Sequence, residues 1–177
     1  FRSGTNESLS SARILRYGNR RGYSFWASDA TPGYRLVNPD VEAVTRTVIF
    51  IPEAPCLLVL DKVTMATEPA LITARWHLEN RDGKGEMVID SPDSFHFIRP
   101  TARLHVTTAG NEAVRAEGGG FTFPENPIDY RFADVTTKGE DRETFLVTVA
   151  TALRPDEPEP VVEITTDGTT WTVDYRK

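Results

Sequence analysis

A single cysteine, Cys56, is all the thiol chemistry this chain holds. An internal disulfide is therefore excluded, and so is a cysteine-rich zinc site. Cys56 lies inside the apolar run PCLLVL, which suits a small core side chain rather than a nucleophile. No apolar run approaches the roughly 18 residues of a membrane-spanning helix. Helical patterning is equally scarce, since no window of about 12 residues shows a clean 3.6-residue apolar period. Positive charge is in deficit, with 20 Lys and Arg against 26 Asp and Glu and a net charge of -6. Nucleic acid and acidic membranes need a concentrated basic face, so neither is an expected partner. An anionic sugar polymer stays open, because a local arginine cluster on an acidic protein can hold one.

The familiar catalytic signatures are missing too. There is no GxSxG elbow, no P-loop and no GxGxxG. The three histidines, His77, His96 and His105, have neither HxH nor HExxH spacing, which excludes a zincin-type site. The triple glycine at residues 118–120 lacks the Lys-Ser/Thr that would follow in a phosphate loop and is expected to be a flexible loop.

What the chain has is β-structure. Short runs rich in Val, Ile, Thr, Phe, Tyr and Trp recur between Gly, Pro, Asn and Asp, giving about 12 candidate strands. Residues 12–17 and 23–28 flank GNRRG, a hairpin loop, and 43–51 and 56–64 flank PEAP. Residues 71–78 lead into the polar turn NRDGKG, followed by runs at 86–90, 94–99, 102–107 and 113–117. The last are 129–134, 144–152, 161–166 and 169–176, the final pair joined by a DG turn. Dense strands with short turns predict an all-β antiparallel sandwich of two layers. RPDEPEP at 154–160 is expected to be a solvated hairpin loop, and the polar residues 1–10 a linker or cut end. The domain then runs over 11–177, as part of a longer protein.

Asp61 stands at the end of LVLD, and an acid inside a Val/Leu strand is costly unless paired, hydrogen-bonded or metal-bound. Two readings stand side by side. Asp61 accepts hydrogen bonds from Arg46, Arg75 or His77, or it joins His77, on a strand expected to neighbour it in a meander, to hold a zinc-like ion. Two protein ligands are too few for a closed zinc site, so a third, such as His105, would have to come from elsewhere. Arg75 and His77 share a strand face, as do Arg103 and His105; together they would make a cationic substrate groove, or else they are scattered, ion-paired surface residues. His96 alternates with Phe95 and Phe97 and is expected at the surface. Tyr17, Tyr23, Trp26 and Tyr34 cluster early; such rings stack on sugars when exposed and fill cores when buried. No catalytic residue is identified.

At TRTVIFIPEAPCLLVLDKVT, residues 45–64, the chain resembles the C-terminal β-sandwich of the heparinase II/III-like polysaccharide lyases. The matching pieces are Arg46 on an aliphatic strand, the turn at Pro52, LVLDKV, and the later RWHL. GYSFWASDATPGY upstream and PTARLHVTT and ETFLVTVATAL downstream extend the resemblance over roughly residues 12–153. It implies an N-terminal α/α-toroid partner domain that holds the catalytic tyrosine, and a sandwich that shapes the cleft. It also implies a zinc site in which Asp61 and His77 match ligand positions, although residues 41–44 lack the histidine the family places there. The implied reaction is β-elimination on a uronic-acid polysaccharide, a glycosaminoglycan or alginate, in the bacterial periplasm or outside the cell. No segment resembles the toroid, so this chain alone is not expected to be a competent lyase. The rival expectations are a carbohydrate-binding module using Trp26, and a sandwich serving oligomerisation, for example as a homodimer.

Overall fold

Runs that are apolar on both faces and runs that alternate take different places in the sheet. CLLVLDKVTM and ETFLVTVATAL are the doubly apolar ones, and they become neighbouring central strands. The computed structural model describes residues 11–124 and 126–177; the expected linker at 1–10 lies outside the described residues. In chain order the first elements are β1 (Arg13–Arg20), β2 (Tyr23–Asp29), a one-turn helix α1 (Thr31–Arg35), β3 (Val41–Ile51) and β4 (Cys56–Met65). Then follow β5 (Thr73–His77), β6 (Glu86–Ser91), β7 (Ser94–Arg99), β8 (Ala102–Gly110) and β9 (Val114–Phe123). The last are β10 (Asn126–Thr137), β11 (Glu143–Leu153), β12 (Val161–Thr166) and β13 (Trp171–Arg176).

These strands form an antiparallel β-sandwich. The large sheet has eight strands in the order β1-β2-β3-β4-β11-β8-β7-β6. A three-stranded sheet, β5-β10-β9, packs on one of its faces, and β12 and β13 form a separate hairpin. The core lies between the two layers. Phe95, Phe97, Val106 and Ala150 of the large sheet meet Leu78, Ala116, Ala133 and Val135 of the small one. Phe95 and Val106 are wholly buried.

The small sheet does not reach the whole of this inner face. Next to β4 a second apolar cluster of Val41, Val63 and Met65 packs with Ala70 and Ile72. Beyond it, over β1–β3, the same face carries Tyr17, Trp26 and Phe50, all exposed. Cross-strand register fixes this assignment: Tyr17 pairs with Trp26, Trp26 with Val48, and Val48 with the buried Val59.

Two loop expectations are corrected. Gly118, Gly119 and Gly120 lie within β9 rather than in a loop. A Cβ on Gly118 would sit 2.3 Å from Met87 Cε, and one on Gly119 2.3 Å from the Phe132 ring. These glycines are there because large side chains cross the strand on both faces. Residues 154–160 do not form a hairpin loop, since β11 pairs with β4 and β8 while β12 pairs with β13.

Gly119→Val should destabilise the protein by about 1–3 kcal/mol in urea or thermal unfolding, because Phe132 must leave its position. An unchanged melt would mean that this strand segment yields as a loop would.

Candidate functional site

Pairing between β3 and β4 places Arg46 opposite Asp61 on the inner face. The guanidinium grips the carboxylate with both arms: Nε donates to Oδ1 at 2.7 Å and Nη2 to Oδ2 at 2.9 Å. This hydrogen-bonded partner holds Arg46 still more firmly protonated, against the opposing effect of burial. The acid in the apolar strand is thus satisfied by an ion pair. The pair lines a cavity of about 230 Å³ at the margin of the small sheet, with Tyr34, Val44, Val63 and Ala74 among its walls. Trp26, 40% exposed, and Tyr17, 81% exposed, stand side by side on the open part of the same face.

The structure does not bring Asp61 and His77 together. β5 pairs with β10, not with β4, so the expected meander is not formed. Asp61 faces the interior of the sandwich, whereas His77 points outward from the small sheet and packs against Phe121 and Phe132. Both Asp61 oxygens are engaged by Arg46. These two residues do not fit a shared zinc site.

The expected cationic groove is also absent. Arg75 and His77 lie on the outer face of the small sheet, while Arg103 and His105 lie on the outer face of the large one. Arg75 is bound to Asp134 through two hydrogen bonds of 2.7 Å and covers the Phe132 ring. Arg103 donates to Glu159 at 3.0 Å and to the Glu157 carbonyl at 2.5 Å. Both guanidiniums are thus already paired with carboxylates.

His105 is instead part of a cluster that the sequence reading missed. His96, expected at the surface, is 6% exposed, and His105 is 8% exposed. Their rings are 4.6 Å apart, with His105 Nδ1 2.9 Å from His96 Nε2. Burial pushes the His105 pKa down, and the neighbouring His96 adds to the effect. Glu159 arrives from the 154–160 connector, its Oε1 3.0 Å from His96 Nε2. Among the described residues, His96, His105 and Glu159 are the group whose ligand atoms all lie within 4.8 Å of one another. The hairpin itself carried a signal for the two histidines: Arg99 pairs with Ala102, and counting outward three residues on each strand places His96 opposite His105. Cys56 is buried, and burial pushes its thiol pKa up, which removes it as a nucleophile.

No protein-family model matches the chain, and no curated protein matches it by sequence. Among solved structures it is similar to the heparan sulfate lyase HepC from Pedobacter heparinus, with a TM-score of 0.72 and 13% identity. That likeness covers 93% of this chain and 26% of the lyase. A mutant of the same lyase and a structure described as heparinase III each match with a TM-score of 0.68 at 13% identity, over the same shares. The chain spans about a quarter of the length of these proteins. At this identity the likeness is one of fold.

Asp61→Ala should lower stability by about 1–2 kcal/mol, and adding Arg46→Ala should cost little more, since the guanidinium has by then lost its partner. Denaturant unfolding of the two single variants and the double variant checks this; strictly additive losses would mean that the two groups act independently.

Proposed function

We propose that this chain is the C-terminal sandwich domain of a heparinase II/III-like polysaccharide lyase, and that it walls the substrate cleft without supplying catalytic groups. The observation that carries this reading is the fold likeness over 93% of this chain but 26% of the heparan sulfate lyase. In the parent protein an N-terminal α/α toroid would supply the catalytic tyrosine for β-elimination on a uronic-acid polymer. The setting would be the bacterial periplasm or the cell exterior.

The open inner face suits that task. It presents Trp26 and Tyr17 as adjacent exposed aromatic side chains, and such rings can stack on sugars. The β1–β2 hairpin is also locally basic on an otherwise acidic protein, with its one acid, Asp29, paired to Arg13. Residues 11–28 include Arg13, Arg16, Arg20 and Arg21 and no acidic residue. Arg16, Arg20 and Arg21 are exposed. Arg16 and Arg20 lie on the face opposite Tyr17 and Trp26, so the hairpin offers aromatic rings on one side and positive charge on the other. A stand-alone carbohydrate-binding module is the second reading, favoured by the same Tyr17–Trp26 pair.

The parent protein incubated with heparan sulfate and with alginate should release unsaturated uronate products, followed by their ultraviolet absorbance, while the 177-residue chain alone should release none. Trp26→Ala in the parent should reduce kcat/KM roughly tenfold through lost stacking. No unsaturated product from any uronic-acid polymer would overturn the lyase reading. Tight binding of a neutral glycan by this chain, lost in Trp26→Ala, would instead favour the binding module.

A further inference from the structure

We propose that His96, His105 and Glu159 bind a divalent transition metal of the zinc class, on the outer face of the large sheet. This site is separate from Asp61 and His77 and does not depend on the lyase reading.

The placement of protons leads to the site. Asp90 Oδ2 lies 2.5 Å from His96 Nδ1, and a carboxylate only accepts, so that nitrogen carries a hydrogen. In the neutral ring, His96 Nε2 then holds a lone pair. It faces His105 Nδ1 at 2.9 Å and Glu159 Oε1 at 3.0 Å. Thr107 Oγ1 sits 3.1 Å from His105 Nε2 and can accept its hydrogen, which leaves a second lone pair on His105 Nδ1. In this tautomer three electron-pair donors converge on one point, an arrangement that a cation among them stabilises. Two imidazoles and a carboxylate are a donor set suited to zinc.

The spacing agrees. His105 Nδ1 and His96 Nε2 are 2.9 Å apart, Glu159 Oε1 is 3.0 Å from His96 Nε2, and Glu159 Oε2 is 3.9 Å from His105 Nδ1. Tetrahedral ligands about 2.0–2.1 Å from zinc stand roughly 3.3 Å apart. Three protein ligands leave a fourth position, and the partly exposed Glu159 side chain gives a way in from solvent.

The surroundings are those of a built site. Asp90 fixes the ring of His96, as a carboxylate behind a metal-bound histidine does. Arg103 steadies Glu159 and its connector. With both rings neutral, Asp90 and Glu159 bring two negative charges against the one positive charge of Arg103, leaving a net negative site for a cation. Thr151, the cross-strand partner of His105, is wholly buried, and its hydroxyl has no hydrogen-bond partner among the described residues. The bound ion would join β7, β8 and the 154–160 connector, and so tie the β12–β13 hairpin to the sheet.

The test is zinc titration of the chelator-treated chain by calorimetry, with the melting temperature followed in parallel. About one zinc per chain and a raised melting temperature are expected. Cobalt(II) should give the visible absorption of a tetrahedral site. His96→Gln and Glu159→Gln should abolish binding, and Asp90→Asn should weaken it roughly 10–100-fold. Asp61→Asn and His77→Gln should leave it intact. A folded wild-type chain that binds neither zinc nor cobalt would overturn the proposal. Binding that survives His96→Gln and Glu159→Gln, or is lost in Asp61→Asn, would overturn it equally. If the histidine variants fail to fold, X-ray absorption of the zinc-loaded wild type decides: a shell with two imidazoles supports the site, and a shell with none excludes it.

Discussion

Strand β11 hydrogen-bonds to β4 on one side and β8 on the other, and through it two separate meanders become one sheet. Without it, β1–β4 and β6–β8 would each end in an unpaired edge of apolar strand. Its sequence suits the position. Val147, Val149, Ala150, Thr151 and Leu153 are all buried, on both faces of the strand. The core around Phe95, the Arg46–Asp61 pair and the histidine cluster all lie on strands whose mutual positions β11 sets.

The two faces of the large sheet do different things. The inner face is covered by the small sheet only in part, and the uncovered remainder carries aromatic rings beside a neutralised ion pair. The outer face is polar in places and covered in part by the connector and the last hairpin. There the 154–160 connector brings Glu159 over the two histidines, and Tyr175 of β13 donates its hydroxyl hydrogen to the Ala54 carbonyl. The arginines nearest these features are mostly engaged with carboxylates. Charge that looks available in the sequence is therefore spent internally, and exposed positive charge gathers at the β1–β2 hairpin.

Local order was legible in the residues. The hairpins at GNRRG, PEAP and DG, the doubly apolar centre of the sheet and the ion-paired alternative for Asp61 all follow from turn chemistry, period-two patterning and the cost of a bare buried acid. Long-range partners were not legible. That β5 would leave β4 and join β10 depends on the small sheet forming at all, and nothing within RWHL announces it. The glycines of β9 looked like a loop because their function is set by Met87 and Phe132, residues far from them in sequence. Glu159 looked like solvated punctuation because its partners lie on strands more than fifty residues earlier. His96 was the recoverable case, since the β7–β8 register alone places it against His105.

The central position of β11 also shapes how the chain reaches this structure. Its partner β4 lies about eighty residues upstream, so their pairing must close a long loop before any contact rewards it. The tight hairpins β1–β2, β3–β4 and β7–β8 carry no such entropic burden. A nascent chain can thus hold two preformed halves while ETFLVTVATAL waits unpaired, a β-branched segment with a single charge at its start. Such a segment is also a template for pairing between molecules, so the strand that unifies the native sheet is the one most exposed to misassembly while the protein folds.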